Sequence, residues 1–120
     1  MTSILLVEDD IQLAGSIVSL IEDTGAEVTH TREAKDAMEL LRERRFDMLI
    51  TDYSVIGGTA DMILGVAKTE QPETFRLAIS GSRTAEWVVE AELADVFHIK
   101  DVNLGDAIMA EIKRIAPPAL

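Results

Sequence analysis

The sequence contains no cysteine, which excludes disulfide bonds, thiolate chemistry and zinc sites built on cysteine. It also contains no apolar run near the roughly 20 residues that a membrane-spanning helix needs. No basic segment precedes the first apolar run, so a secretory signal is not expected either. Together these absences favour a soluble protein that resides in the cytoplasm and does not bind a membrane.

Positive charge is scarce: 11 Lys and Arg stand against 22 Asp and Glu, for a formal net charge of -11. A chain so acidic repels a polyphosphate backbone, so we expect no direct binding of nucleic acid. The hydrophobic content of 48% is enough for a substantial core, and 120 residues suggest one domain spanning 1–120. No repeat divides the chain, and segment 116–120 is interpreted as a tail or the start of a linker.

Short apolar runs alternate with longer amphipathic stretches along the chain. The apolar runs predict five β-strands, at residues 3–7, 26–31, 46–51, 75–80 and 95–99. The amphipathic stretches predict five helices, at residues 11–24, 33–45, 59–70, 85–93 and 104–115. Apolar residues at helical spacing, Ile11 among them, predict the buried face of the first helix. Such alternation is typical of α/β proteins with a parallel sheet and helices on both faces.

Polar side chains directly follow four of the five predicted strands. Open parallel sheets bind ligands beyond the carboxyl ends of their strands, so these side chains are candidate site residues. They are Glu8, Asp9 and Asp10 after the first strand, Asp52 after the third, Ser80 at the end of the fourth and Lys100 after the fifth. The second strand leads only to Thr31 and Arg32, which suggest no chemistry.

The candidate residues together suit phosphoryl chemistry. Clustered carboxylates from Glu8, Asp9 and Asp52 repel one another, and a hard cation such as Mg²⁺ with oxygen ligands relieves that repulsion. Lys100 can reach a phosphoryl oxygen, and the Ser80 hydroxyl can donate to one. A carboxylate can itself form an aspartyl-phosphate, and the central Asp52 is the candidate nucleophile.

Several simpler interpretations remain open. Asp9 can cap the first helix, with Gln12 placed as in a capping box, and this is compatible with metal binding. His30 and His98 are far apart in sequence and have no evident partners, so we assign them no role. Trp87 is either a core residue or an exposed docking residue.

Four segments resemble the signature segments of response-regulator receiver domains, the phospho-acceptor modules of two-component signalling. They are ILLVEDD (4–10), MLITDYS (48–54), LAIS (77–80) and FHIK (97–100). The resemblance covers essentially the whole chain. It implies a flavodoxin-like, doubly wound, three-layer αβα fold whose five parallel strands are arranged in the order 2-1-3-4-5.

The resemblance also implies a role for each candidate residue at the metal and phosphoryl site. Asp52 would accept a phosphoryl group from a histidine kinase or a phosphotransfer protein. Mg²⁺ would be coordinated by Asp9, by Asp52 and by the backbone carbonyl of Ser54, with Glu8 helping through water. Lys100 would pair with a phosphoryl oxygen.

The resemblance implies a switch as well. Ser80 would hydrogen-bond the phosphoryl group and draw its loop inward, and Phe97 would follow as the aromatic switch residue. A downstream protein partner would read the change on the face formed by the fourth helix, fifth strand and fifth helix, and a homodimer is left open. The chain would catalyse only its own phosphoryl transfer and slow hydrolysis, so it is not expected to be an enzyme.

Three departures from the family pattern lead to further expectations. Asp101 replaces the usual proline after the lysine, so we expect a trans peptide, a shifted loop and competition for Lys100. Val55 and Ile56 replace the usual Met-Pro pair and are followed by Gly57 and Gly58, so we expect a more mobile loop. The stretch from Ser80 to Lys100 is about two residues short for the family, which predicts a shortened fourth helix.

Two other functions remain as alternatives. A degenerate receiver would bind partners without phosphorylation, as the missing proline and Met-Pro pair suggest. A phosphatase of the haloacid-dehalogenase type also uses a strand-end aspartate nucleophile. It needs a second aspartate two residues later as general acid, and this chain has Ser54 there.

Overall fold

The computed structural model describes residues 1–115, so the expected tail or linker at 116–120 lies outside it. Its strands are β1 Ser3–Val7, β2 Glu27–Thr31, β3 Met48–Asp52, β4 Ser54–Val55, β5 Gly58–Thr59, β6 Phe75–Ser80 and β7 Val96–Ile99. Five of them form one parallel sheet in the order β2-β1-β3-β6-β7, and β4 and β5 form a separate antiparallel hairpin. Without the hairpin this order is 2-1-3-4-5, which confirms the expected topology.

The helices lie close to their predicted positions. They are α1 Ile11–Asp23, α2 Ala34–Glu43, α3 Ala60–Glu70, α4 Trp87–Glu90 and α5 Leu104–Ile115, with a 3₁₀ turn at Arg83–Glu86 before α4. The α4 helix has only four residues, which confirms the expectation of a shortened fourth helix. Within residues 1–115, no helix combines the length and the apolar character needed to cross a membrane.

Each face of the sheet has its own hydrophobic core. In β1, Leu5 and Val7 pack with α2, α3 and α4, whereas Ile4 and Leu6 pack with α1 and α5 on the opposite face. Successive side chains of a strand point to opposite faces, and helices cover both faces here, so all four residues are fully buried. A central strand covered by helices on both sides therefore reads as a continuous apolar run, and the three-layer αβα arrangement is confirmed.

Ile11 differs from its expected burial. It lies in the first turn of α1 and is 64% exposed, so the apolar face of that helix begins one turn later, at Ala14.

The segment after β3 also differs from expectation. It forms the β4–β5 hairpin, and Ile56 at its tip is hydrogen-bonded to the start of α2. The Ile56 amide donates to the Arg32 carbonyl oxygen over 3.1 Å, and the Ala34 amide donates to the Ile56 carbonyl oxygen over 2.9 Å. Gly57 has φ 82°, which favours glycine, and a Cβ added to Gly58 would lie 2.9 Å from the Ala34 Cβ. The loop expected to be mobile is thus held on both sides of its tip.

Candidate functional site

The structure brings three predicted carboxylates together at the carboxyl ends of β1 and β3. These strands are neighbours in the sheet, with Val7 opposite Thr51, so the residues that follow them meet at one edge. Carboxylate oxygens of Glu8, Asp9 and Asp52 lie within 4.8 Å of one another. Glu8 is fully buried, Asp52 is 9% exposed and Asp9 is half-buried, so the acidic cluster is mostly buried.

Lys100 supplies the positive charge of this site. Its Nζ lies 2.7 Å from Glu8 Oε1 and 2.8 Å from Asp52 Oδ2. The first contact is an ion pair with a fully buried carboxylate, because the Glu8 side chain is 0% exposed. The Lys100 backbone is fixed by its amide, which donates to the Ser80 carbonyl oxygen over 2.8 Å. Lys100 therefore pairs with two of the three clustered carboxylates.

The site perturbs two protonation equilibria. Burial raises the pKa of the Glu8 carboxyl from 4.5 to about 7, with Lys100 opposing the shift and the charge of Asp52 adding to it. Burial lowers the pKa of the Lys100 ammonium, but its contacts with Asp52 and Glu8 outweigh burial and leave that pKa above its ordinary value. Lys100 therefore stays charged, whereas the Glu8 carboxyl gains or loses its proton near neutral pH.

The two predicted switch residues lie on adjacent strands, β6 and β7. Ser80 is 9% exposed at the end of β6, and its Oγ accepts a hydrogen bond of 3.1 Å from the Ser82 amide. Phe97 lies opposite Ala78 in the sheet and is half-buried against the core formed with α2, α3 and α4. The structure places both residues in one part of the sheet without recording a direct contact between them.

The residues just after Asp52 connect the site to α4. Asp52 Oδ1 accepts a hydrogen bond of 2.8 Å from the Tyr53 amide. The Tyr53 hydroxyl in turn accepts one of 3.1 Å from Trp87 Nε1, and the two rings pack edge to face with centroids 6.3 Å apart. Trp87 is 41% exposed, so it is a surface residue beside the site. Ser54, the expected carbonyl ligand, begins the hairpin.

Two sequence expectations near the site are corrected by the geometry. Asp10, not Asp9, caps α1: its Oδ1 accepts a hydrogen bond of 3.0 Å from the Leu13 amide, which leaves the Asp9 carboxylate free of that role. The peptide after Lys100 is trans, as expected. Within residues 1–115, however, Asp101 does not compete for Lys100, because its Oδ1 accepts from the Asn103 amide over 2.9 Å.

Two contacts with the acidic loop could not be predicted from the sequence: one is made by His30 of the edge strand β2 and the other by Arg32, the residue directly after β2. The His30 ring bonds the Glu8 carbonyl oxygen through Nε2 over 2.8 Å, and Arg32 Nε donates to the Asp9 carbonyl oxygen over 3.0 Å. These contacts span 22 and 23 residues of sequence, so no local pattern reveals them. The sequence offered one signal for these contacts. His30 and Arg32 are polar residues two positions apart at the end of a strand that was predicted to lie beside the acidic loop.

The side chains at this edge suit a hard divalent cation. All three clustered donors are carboxylates, and oxygen ligands of this kind are those that Mg²⁺ and Ca²⁺ prefer. Within residues 1–115, Lys100 is the one side chain recorded in an ion pair with these three carboxylates, so negative charge exceeds positive charge in the cluster. The residues therefore fit the expected metal.

The sequence matches the family model of the response regulator receiver domain over residues 4–109. The chain is also 30% identical over 90 residues to the nitrogen assimilation regulatory protein NtrX of Azorhizobium caulinodans. That alignment covers 73% of this chain and 20% of NtrX, so the chain spans about a fifth of the length of this curated relative.

Solved structures of similar fold have low sequence identity to the chain. The response regulator TrrA of Thermotoga maritima, in complex with Mg²⁺-BeF, superimposes with a TM-score of 0.87 at 16% identity, covering 97% of this chain and 100% of TrrA. The non-phosphorylated receiver domain of HemR from Leptospira biflexa gives 0.83 at 22% identity, with both chains covered completely. The shared fold and the family match over most of the sequence lead to one conclusion. The chain belongs to the response regulator receiver domain family, whose members are signalling modules of two-component systems.

Proposed function

We propose that this chain is a phosphorylation-dependent switch in which Asp52 accepts a phosphoryl group. The observation that carries the proposal is the meeting of Glu8, Asp9, Asp52 and Lys100 at one sheet edge. A carboxylate nucleophile needs positive charge nearby when a phosphoryl group arrives, and Lys100 already contacts Asp52 Oδ2 at 2.8 Å. The donor would be the phosphohistidine of a histidine kinase or a phosphotransfer protein, and the setting would be the cytoplasm.

The transfer exchanges one bond to phosphorus for another. A carboxylate oxygen of Asp52 attacks the phosphorus, and the bond from phosphorus to the donor imidazole nitrogen breaks. The electron pair of that bond stays on the imidazole, which takes up a proton. Lys100 stabilises the charge on the phosphoryl oxygens, so its ion pair with Asp52 gives way to one with the phosphoryl group.

Mg²⁺ would be held by Asp9, Asp52 and the Ser54 carbonyl oxygen, with Glu8 acting through water. When bound, the ion neutralises negative charge on the incoming phosphoryl group. The oxygen donor set supports this assignment. The fold neighbour TrrA was solved with Mg²⁺-BeF, which supports the same choice of ion by analogy.

Phosphorylation would add about -1.5 to -2 charges beside Ser80. Its hydroxyl, which now accepts from the Ser82 amide, would turn to donate to a phosphoryl oxygen and so move the loop after β6. Phe97 would repack against the short α4, and a downstream protein would read the altered α4–β7–α5 face. Self-association through that face would give a homodimer.

The proposal is tested by incubating the protein with Mg²⁺ and a small phosphodonor such as acetyl phosphate, and measuring intact mass. We expect one added phosphoryl group on the wild type and none on Asp52→Ala. Asp36→Asn, which changes an exposed aspartate on α2, is the matched control and should be modified like the wild type. Absence of modification with both a small donor and a cognate kinase would contradict the proposal.

A degenerate receiver is the second candidate, favoured by Asp101 at the usual proline position and by the four-residue α4. It would bind its partner without phosphorylation. Signalling retained in a strain carrying Asp52→Ala supports this second candidate, and signalling lost in that strain supports the switch.

A further inference from the structure

The acidic loop between β1 and α1 is hydrogen-bonded by His30 near the end of the edge strand β2 and by Arg32, the residue directly after that strand. His30 Nε2 lies 2.8 Å from the Glu8 carbonyl oxygen, and Arg32 Nε lies 3.0 Å from the Asp9 carbonyl oxygen. A carbonyl oxygen can only accept a hydrogen bond, so each of these two nitrogens is the donor to its own carbonyl oxygen. The two contacts hold successive peptide groups of the loop that carries two of the three clustered carboxylates.

These side-chain hydrogen bonds continue the contact between β2 and the acidic loop beyond the last backbone hydrogen bond of β2. The ladder ends where the Glu8 amide donates to the Thr31 carbonyl oxygen over 3.1 Å, so with His30 both polar backbone groups of Glu8 bond to β2. Arg32, the residue directly after β2, continues the contact one residue further along the loop, to Asp9.

The position of the Asp9 carboxylate depends on this backbone. Within residues 1–115, the structure records no hydrogen bond and no ion pair to the Asp9 carboxylate, which is directed only by its own peptide groups. Mg²⁺ demands near-ideal placement of its oxygen ligands, so a small rotation of those peptide groups would weaken binding. Partners that orient a ligand from behind commonly control metal affinity in this way.

We propose that His30 and Arg32 are positioning residues that fix the Glu8 and Asp9 peptide groups and so present the Asp9 carboxylate to Mg²⁺. The inference rests on the proposed function, because it concerns the same cation site. It assigns the edge strand β2 a part in that site, carried by hydrogen-bond donors rather than by charge.

Charge and positioning predict opposite effects when Arg32 is changed. Its guanidinium is a positive charge close to a cation site, so Coulomb repulsion alone predicts tighter Mg²⁺ binding once that charge is removed. The positioning role predicts weaker binding, because the Asp9 carbonyl oxygen loses its donor. The sign of the change in affinity therefore decides between the two.

Glutamine substitutions separate the donor from the charge. The Nε2 of glutamine lies the same number of bonds from the backbone as Arg Nε and His Nε2, so Arg32→Gln and His30→Gln keep an N–H donor. Arg32→Met and His30→Leu keep similar size and lose the donor. Lys35→Met is the control for lost positive charge, because Lys35 is exposed on α2 and has no recorded contact with the acidic loop.

The first measurement is a Mg²⁺ titration of each variant, followed by Trp87 fluorescence or by calorimetry. We expect Arg32→Met and His30→Leu each to bind about fivefold more weakly than the wild type. Arg32→Gln and His30→Gln should stay within about twofold of the wild type. Lys35→Met should bind at least as tightly as the wild type. Unchanged or tighter binding by Arg32→Met and His30→Leu would overturn the proposal.

The second measurement is amide hydrogen exchange of residues 8–13 in the metal-free protein, which does not depend on the proposed function. Exchange there should be about fivefold faster in Arg32→Met and His30→Leu than in the wild type, and near wild type in the glutamine variants. Exchange at the wild-type rate in both donor-less variants would overturn the positioning role. A wild type that binds no Mg²⁺ would refute the proposed metal site separately.

Discussion

Polar groups are buried at both ends of the parallel strands, at the site edge and at the opposite, far edge of the main sheet. The two edges differ in how completely these polar groups are hydrogen-bonded. At the far edge, where β3 and β6 begin, Gln71 is 2% exposed and all its polar atoms are paired. Its Nε2 donates to the carbonyl oxygens of Leu41 and Arg44, and its Oε1 accepts from the Phe46 amide over 2.9 Å. The Thr74 hydroxyl completes the network, 2.8 Å from the Phe46 carbonyl oxygen.

The site edge, where β1, β3, β6 and β7 end, leaves its polar groups unbalanced. Three carboxylates cluster there, and in the part of the chain that the structure describes Lys100 is the one side chain recorded in an ion pair with them, through Glu8 and Asp52. Buried polar groups that are fully paired stabilise a fold, whereas an unbalanced cluster of buried charge is typical of a site that binds a ligand. Substitutions at the far edge should therefore change stability, and substitutions at the site edge should change function.

The largest expected effect is on function at the site edge. Asp52→Asn should reduce phosphoryl uptake from a small donor by more than about 100-fold, because it removes the nucleophile. The free energy of unfolding in the absence of metal should not fall, since one of three repelling carboxylates has been neutralised. Intact mass and denaturant unfolding measure the two effects. A strongly destabilised Asp52→Asn would break the distinction between the two edges.

At the far edge we expect the largest effect on stability. Gln71→Leu should lower the free energy of unfolding by about 4 kcal/mol, because the Phe46 amide and two carbonyl oxygens lose their partner. The rate of phosphorylation of the folded fraction should stay within about twofold of the wild type. Urea unfolding and a mass-based rate measurement test this pair of outcomes. Loss of phosphorylation in folded Gln71→Leu would contradict the separation.

The raised pKa of Glu8 predicts how the site edge responds to pH. A folded pKa of about 7 against 4.5 in the unfolded chain gives stability that is complete below pH 4.5 and is lost as pH rises through 7. Glu8→Gln removes this loss, so at pH 8 it should exceed the metal-free wild type by about 3 kcal/mol. At pH 4.5 the two should match. Urea unfolding at both pH values checks this, and equal stability at pH 8 would refute it.

The smallest expected effect on stability is at an exposed ion pair of the far edge, which can be compared with the buried Gln71 network beside it. Arg45 and Glu73 form an ion pair of 3.1 Å beside the Gln71 network, but both side chains are more than two-thirds exposed. Glu73→Gln should change the free energy of unfolding by less than about 0.5 kcal/mol, because solvent screens exposed pairs. A loss as large as that of Gln71→Leu would show that the buried network is not what stabilises this edge.

The sequence allowed the elements with a clear hydrophobic pattern to be predicted well. Strand β6 and helix α5 begin and end at the predicted residues, since continuous apolar runs and helical periodicity both report burial directly. The β4–β5 hairpin was missed because two-residue strands carry no periodicity, and its pairing depends on contacts with Arg32 and Ala34 from another element. Ile11 fits the helical spacing but lies in the first turn, beyond the cover of the sheet.

The acidic cluster could be predicted because strand ends in a parallel sheet meet at one edge. The side-chain partners within it could not. Asp9 and Asp10 are adjacent residues of the same type, so the sequence does not reveal which of them caps α1. His30 and Arg32 contact the loop across the sheet rather than along the chain. Such contacts follow from strand register, which sequence periodicity determines only after the topology is known.

In the proposed function, the excess negative charge at the site edge prepares Asp52 to be phosphorylated. The most direct test treats the wild type with Mg²⁺ and a phosphodonor, reduces it with borohydride and maps the peptides by mass spectrometry. Borohydride converts an aspartyl-phosphate to homoserine, so we expect homoserine at position 52, and none when Mg²⁺ is chelated. Aspartate remaining at position 52, or homoserine at another position, would contradict it.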